Sequence, residues 1–325
     1  MLRRVVVGVL AGALVVAGCS SDDDSDATSA TTDTTTRPTA PTVEDLLAEG
    51  RPLDIAHAGG ERDYPKETLF AFSEAAKAGA DVLEMDVHLS QDGQIVAIHN
   101  DTVDATTNGH GAVANITAAA LGKLDAAYWF APGCGTCDDQ PDEDYKYRGV
   151  RTGDTNVPDG YDPTDFGIAT LQEIFARFPD KVLDIEIKGE GEVGKATAKA
   201  LADEIDGAGR TDSVVVVSFD QATVDEFHSL APDVAVSPGV DALTSWFLQN
   251  TRLDGYSILQ VPPSFEGIEV VTPETLARAH NEGLAVWVWM NEDGQDTPEY
   301  YQTLLDMGVN GIIADHPGAL AELMR

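Results

Sequence analysis

Two histidines bracket a pair of carboxylates in this chain: His57, then Glu84-Met85-Asp86, then His99. Each polar group interrupts or ends an apolar run, as in Leu53-Asp-Ile-Ala-His57, Val82-Leu-Glu84-Met-Asp86-Val and Ile95-Val-Ala-Ile-His99. Ionisable groups inside such runs are costly to bury unless they are paired or bind a metal. Residues two apart on a strand share a face, so Glu84 and Asp86 point the same way. Two oxygen ligands on one face suit a hard divalent cation. The flanking histidines suit proton transfer near neutral pH.

The elements that must position these groups follow from the alternation of apolar runs and helical patterns. Strands are expected at 53–58, 82–88, 182–188, 214–219, 234–237, 256–261, 285–290 and 311–315. Helices are expected at 67–78, 171–178, 193–206, 221–230, 273–282 and 298–307, several ending at a glycine (Gly79, Gly283, Gly308). Eight strands with helical crossovers define the fold class as α/β, a (β/α)8 TIM barrel with a long insertion after the second strand. An open doubly wound sheet fits less well, because no glycine-rich phosphate loop follows the first strand. Ser90-Gln-Asp92-Gly93 lies midway between Asp86 and His99 and signals a hairpin. Its returning arm, 94–100, brings His99 beside Asp86. The insertion, about 104–165, carries a predicted helix at 117–128 and reads as a lid or substrate wall.

The N-terminal segment reads as a targeting signal over residues 1–18. Arg3-Arg4 precede an apolar stretch from Val5 to Ala17 that is short for a bilayer span. It ends in Val16-Ala17-Gly18-Cys19, which resembles a bacterial lipobox; that resemblance implies diacylglycerol on Cys19. Residues 19–43, rich in Ser, Thr and Asp with Pro38 and Pro41, read as a flexible lipid-anchored stalk. The expectation is an exported lipoprotein at the outer face of the cell membrane, its folded domain spanning 44–325. Cys134 and Cys137 sit in a Gly/Pro/Asp-rich loop of an exported chain, which favours a local disulfide over a redox motif or a zinc site. The formal net charge of −36 over 325 residues argues against nucleic acid as a partner.

The order of motifs resembles the glycerophosphodiester phosphodiesterase family. The matching stretches include Ala56-His57-Ala-Gly59-Gly60, Leu83-Glu84-Met-Asp86-Val, Gln91-Asp-Gly93, His99-Asn-Asp101-Thr and Thr106-Thr-Asn-Gly109. Further along come Ile168-Ala-Thr170-Leu, Leu183-Asp-Ile-Glu186-Ile-Lys188, Val217-Ser-Phe219, Val286-Trp-Val-Trp289 and Ile313-Ala-Asp315-His-Pro317. The resemblance implies metal-dependent hydrolysis of a small glycerophosphodiester to glycerol 3-phosphate and an alcohol. It carries over Glu84, Asp86 and Glu186 as metal ligands, Lys188 beside the phosphate, His99 as general acid and His57 as general base. Asp184, Glu186 and Lys188 also alternate through an apolar strand, which places them on one face. Oxygen-only ligation favours Ca2+ or Mg2+ over zinc. Period two puts Trp287 and Trp289 on one face, with Trp289 and Phe219 expected as walls of the glycerol pocket.

Two departures from the family pattern stand out. Ala58 follows the first histidine where the family has an arginine, and Lys66 replaces a ligand glutamate in Pro65-Lys66-Glu67-Thr68. A cation at that position repels a metal in a partly buried site. Glu67 or Glu61 is expected to supply the missing oxygen, and Arg62 the missing guanidinium. Two rival readings follow: a phospholipase D-like enzyme acting on intact lipids, with Phe130, Trp246 and Phe247 at an apolar rim, or a non-catalytic phosphodiester-binding lipoprotein. The retained histidines disfavour the latter, and a glycoside hydrolase leaves them unexplained.

Overall fold

The structure, a computed structural model, describes residues 40–292 and 294–325. The signal segment, most of the stalk and Cys19 lie outside the described residues. Eight parallel strands wind in sequence order: β1 Leu53–Ala56, β2 Val82–Leu89, β3 Val182–Ile187 and β4 Val214–Val217, then β5 Ala235–Val236, β6 Ile258–Val261, β7 Ala285–Trp289 and β8 Gly311–Ala314. Each ladder joins neighbours in that order, and β8 returns to β1 with Leu53 opposite Gly311 and Ala56 opposite Ala314. No ladder joins β5 to β6; there the Gln260 amide donates to Ser237 Oγ at 3.1 Å. The nearly closed barrel agrees with the alternation of strand and helix patterns in the sequence.

The strands form where β-branched and aliphatic residues run together, as in Val214-Val-Val-Val217, whose four residues are all buried. Such uniform burial is the mark of parallel strands covered on both faces. Helices around the outside start at side-chain caps. Thr68 Oγ1 accepts from the Ala71 amide and Thr170 closes a capping box with Glu173.

Several expected elements differ. The helix expected from Glu67 begins at Leu69, because Glu67 has φ +59° and Thr68 is the cap. The helix expected at 117–128 is a single turn, Ala118–Leu121. It stops at Gly122, and Asp125 turns its carboxylate onto the Ala127 and Gly149 amides. The helix Val240–Gln249, between β5 and β6, was not anticipated.

The hairpin after β2 is present. Ile95–Ala97 pairs antiparallel with β2, with His88 opposite Val96, and the Ile98 amide donates to the Asp86 carbonyl at 2.9 Å. Gly93, with φ +75°, makes the turn. Residues 104–165 pack on the barrel through an aromatic cluster in which Phe70 stacks on Phe166, centroids 4.6 Å apart. Phe130 belongs to that cluster at 3% exposure, which removes it from the expected apolar rim. Cys134 and Cys137 are disulfide-bonded in the loop beyond it. Among the described residues no helix is long and apolar enough to cross a membrane.

Candidate active site at the carboxyl ends of the strands

The inward faces of β2 and β3 lie in register, with Glu84 opposite Asp184 and Asp86 opposite Glu186. Four carboxylates thus meet inside the barrel. Lys188, one residue past β3, bridges two of them, its Nζ 2.8 Å from both Asp86 Oδ1 and Glu186 Oε1. Burial raises Asp86, but Lys188 and His99 outweigh it and hold the carboxyl below its ordinary range. Burial and the Asp86 charge push Glu186 up to about 7. Glu84 is likewise raised, by burial and then by Asp86. One Glu84 oxygen takes the Ala58 amide at 2.7 Å. Ala58 has φ +48°, a left-handed conformation that an alanine adopts only under constraint. Deeper in the barrel, Asp184 accepts from Gln260 Nε2 at 2.8 Å.

His57 stands at the end of β1, half-buried, with Nδ1 2.6 Å from Asp315 Oδ1. Burial pushes its proton affinity down. The hydrogen bond to Asp315 and the charges of Glu84, Asp315 and Glu61 outweigh that, so it lies well above an ordinary histidine. Asp315 follows β8 and also accepts from Arg62 Nε at 3.4 Å. Arg62 is braced in turn by the disulfide loop, donating to the carbonyls of Gly133 and Cys134 at 3.4 Å.

His99, on the returning arm after β2, is exposed and lines the same floor. Its Nδ1 lies 2.6 Å from Asn100 Oδ1, which assigns the proton to Nδ1 and leaves Nε2 the open nitrogen. His88 holds it from the backbone side, with Nε2 donating to the His99 carbonyl at 3.1 Å.

Glu67, expected as a ligand, has both carboxylate oxygens on backbone amides. Its two oxygens accept the Asp86 amide at 3.2 Å and the His99 amide at 2.7 Å, so a buried carboxylate ties β2 to the returning arm. Lys66 ion-pairs with Glu61 at 2.9 Å, within the field of Glu67 and Asp86. Glu61 is therefore engaged as well.

His57, Glu84, Asp86, His99, Glu186 and Lys188 line a cleft of about 410 Å³ that also takes in Phe219 and Trp289. Phe219 and Trp289 meet with centroids 5.7 Å apart, whereas Trp287 is buried in the barrel at 1% exposure. Phe247 lines the same cleft, half-buried, whereas Trp246 borders it from the core at 2% exposure and so leaves the expected rim with Phe130. His57, Glu84, Asp86, His99, Glu186, Lys188, Phe219 and Trp289 are thus brought together. Asp315 and Asn100 are additions; each is a polar residue beside a strand end or a histidine, the signal that marked the others.

The sequence pattern that defines the glycerophosphoryl diester phosphodiesterase family matches residues 57–319. The chain belongs to that family. Membership makes it an enzyme, a hydrolase of phosphodiesters. A glycerophosphodiester phosphodiesterase of Caldanaerobacter subterraneus subsp. tengcongensis is 29% identical over 277 residues, 84% of this chain and 98% of that one. One from Bacillus subtilis is 25% identical over 289 residues, 86% of this chain and 88% of the relative. Among solved structures, the glycerophosphodiester phosphodiesterase of Agrobacterium tumefaciens superposes with a TM-score of 0.61 at 21% identity, covering 83% and 99% of the two chains. An Oleispira antarctica phosphodiesterase in complex with the product sn-glycerol-3-phosphate superposes at 0.63 and 20% identity, covering 85% and 98%. These structures share the barrel.

Proposed function

We propose that this cleft hydrolyses glycerophosphodiesters to glycerol 3-phosphate and an alcohol, with a divalent cation on the β2–β3 carboxylates and the two histidines moving protons. The observation that carries the reading is the Lys188 bridge between Asp86 and Glu186 on a floor flanked by His57 and His99.

The donor chemistry fits a hard cation. Glu84, Asp86 and Glu186 offer oxygen only, and burial, with the Asp86 charge second, leaves Glu84 and Glu186 raised. A second group, His57, Glu61 and Asp315, has ligand atoms within 4.8 Å of one another. There Glu61 is paired with Lys66 and Asp315 with His57 and Arg62, whereas in the first set one cation, Lys188, is shared by Asp86 and Glu186 and Glu84 has no ion pair among the described residues, so we assign the cation to the first set. When bound, the cation polarises phosphoryl oxygens and offsets the charge that grows during attack; Ca2+ and Mg2+ both suit oxygen ligands.

The chain's own residues do the rest. Lys188 neutralises a phosphoryl oxygen at the mouth of the acidic floor. His57 takes the proton of the attacking hydroxyl at Nε2, and the Asp315 carboxylate stabilises the imidazolium that forms. His99, as its imidazolium, delivers the Nε2 proton to the departing alcohol and is left with the Nδ1 proton. Its Nδ1 is fixed by Asn100. The retained pairings argue for turnover over simple binding, because a binder has no use for two oriented proton carriers. Export and a lipid anchor at Cys19 complete the proposal: the domain works at the outer face of the membrane, on a tether. Replacing His57 or His99 by alanine tests the proton-transfer roles. Each is expected to lower kcat by about 10²–10⁴-fold with little change in KM. Unchanged kcat in either variant removes that histidine from the mechanism.

A further inference from the structure

The pair formed by His57 and Asp315 is held by a series of contacts that ends outside the barrel. Arg62 reaches Asp315 with Nε, while its Nη1 donates to the carbonyls of Gly133 and Cys134, each contact at 3.4 Å. In return the Gly133 amide donates to the Arg62 carbonyl at 2.7 Å. Gly135 lies flat on the preceding peptide: a Cβ there would stand 3.1 Å from the Glu61 carbonyl oxygen. One segment thus grips Arg62 by backbone and side chain and aims it at Asp315.

That segment has little of its own to hold its shape. It is a hairpin whose ladder pairs only Phe130–Ala131 with Gly135–Thr136, too short to persist alone. Gly133 and Gly135 both sit at φ +79°, and glycine has the most backbone freedom to regain when a turn opens. The Cys134–Cys137 disulfide closes the turn, and both cysteines are half-buried, so a small dithiol can reach them. The surroundings are anchored separately. Phe130 stacks on Tyr147, and Asp63, next to Arg62, holds His316 Nδ1 at 2.7 Å. A disulfide closing so short a loop adds little to global stability, so its effect here is local.

We propose that Arg62 is a positioning residue for the Asp315–His57 pair and that the thiol–disulfide state of Cys134 and Cys137 sets how firmly it holds them, turnover being faster in the oxidised protein. The inference rests on the phosphodiesterase reading above. A dithiol supplies the two electrons and two protons of the switch: its sulfurs join to each other, the Cys134–Cys137 bond breaks, and two thiols are left on the chain. The freed turn releases the carbonyls that Arg62 caps. The guanidinium then leaves Asp315, and the imidazole loses the brace behind its partner.

The full chain would be assayed on glycerophosphocholine in four forms: oxidised; opened, by dithiothreitol followed by desalting and by Cys134→Ser with Cys137→Ser; Arg62→Met; and Arg62→Met opened. Opening and Arg62→Met are each expected to lower kcat by about tenfold, within the range that a misplaced group costs, with KM and Tm little changed. The two together are expected to cost no more than either alone. The 15N resonances of the His57 ring, assigned by their loss in His57→Gln, are read without turnover. They are expected to shift on opening in the native chain and to stay put on opening in Arg62→Met. Full activity and an unmoved His57 signal after opening overturn the proposal, as do losses that multiply or that track a fallen Tm. A rise in KM alone in Arg62→Met makes Arg62 a substrate ligand and overturns it too. No turnover in any form, with the His57 signal still shifting through Arg62, contradicts the hydrolase reading and leaves the brace standing.

Discussion

Asp315 Oδ1 lies 2.6 Å from His57 Nδ1, although the two residues are 258 positions apart. The contact exists because β8 pairs with β1 and both strands end at the same rim. It fixes the His57 tautomer and turns Nε2 to the cleft. The disulfide loop reaches the same pair through Arg62, so a covalent staple far along the chain bears on the orientation of one imidazole.

Asp315→Asn removes the charge that holds the His57 proton. The negative charge favours the imidazolium that forms when His57 takes a proton, so its loss lowers the His57 pKa and weakens the general base. The expected result is a drop in kcat of about 10²-fold or more, with the His57-governed limb of the pH–rate profile displaced to lower pH. An unmoved limb denies the coupling.

Glu67→Gln separates a ligand from a brace. The amide retains one acceptor oxygen for two backbone amides, so one buried N–H loses its partner at a cost of about 1–3 kcal/mol. Thermal unfolding is expected to shift down by roughly 2–4 °C per kcal/mol, with cation affinity nearly unchanged in calorimetric titration. A large loss of cation affinity at unchanged stability would mean that Glu67 is a ligand after all.

Lys66→Glu reverses a charge that faces Glu61, Glu67 and Asp86. The cation-free protein is expected to lose stability through like-charge repulsion. Added Ca2+ or Mg2+ is expected to raise its Tm by more than it raises that of the unsubstituted chain, because binding restores balance by mass action. Equal metal-induced shifts would place Lys66 outside the electrostatic reach of the cation.

Asp54 gives a pH-dependent stability independent of the cleft. Burial, then the nearby Asp81 charge, pushes its carboxyl up to about 8, and neither oxygen has a partner among the described residues. In the unfolded chain it titrates near 3.9. Between these values the folded state binds the extra proton, so stability contributed by neutral Asp54 is present at pH 4 and lost as pH rises through 8. Asp54→Asn is therefore expected to raise Tm at pH 8 relative to the native chain and to give no gain at pH 4. A pH-independent difference would contradict the burial of a neutral acid.

The barrel and most of its floor were legible in the sequence because they depend on local periodicity. Glu84 and Asp86, or Glu186 and Lys188, declare a shared face by their spacing alone. The hairpin that returns His99 was legible from Asp92-Gly93. What escaped depends on three-dimensional partners. Glu67 carries a left-handed backbone, and only that conformation turns a nominal ligand toward the Asp86 and His99 amides. The Asp315 role requires strand closure. Phe130 looked like a rim residue until the 104–165 segment folded it under Phe70 and Tyr147.

The most direct test of the central claim is glycerol 3-phosphate release from glycerophosphocholine by the purified chain, compared in Ca2+, in Mg2+ and in EDTA, with Lys188→Met alongside. The account predicts release in at least one cation, loss in EDTA that is recovered on adding metal back, and a severe loss in the Lys188 variant. Release that persists unchanged in EDTA and in Lys188→Met would contradict a cation site on the β2–β3 carboxylates and would place the chemistry elsewhere.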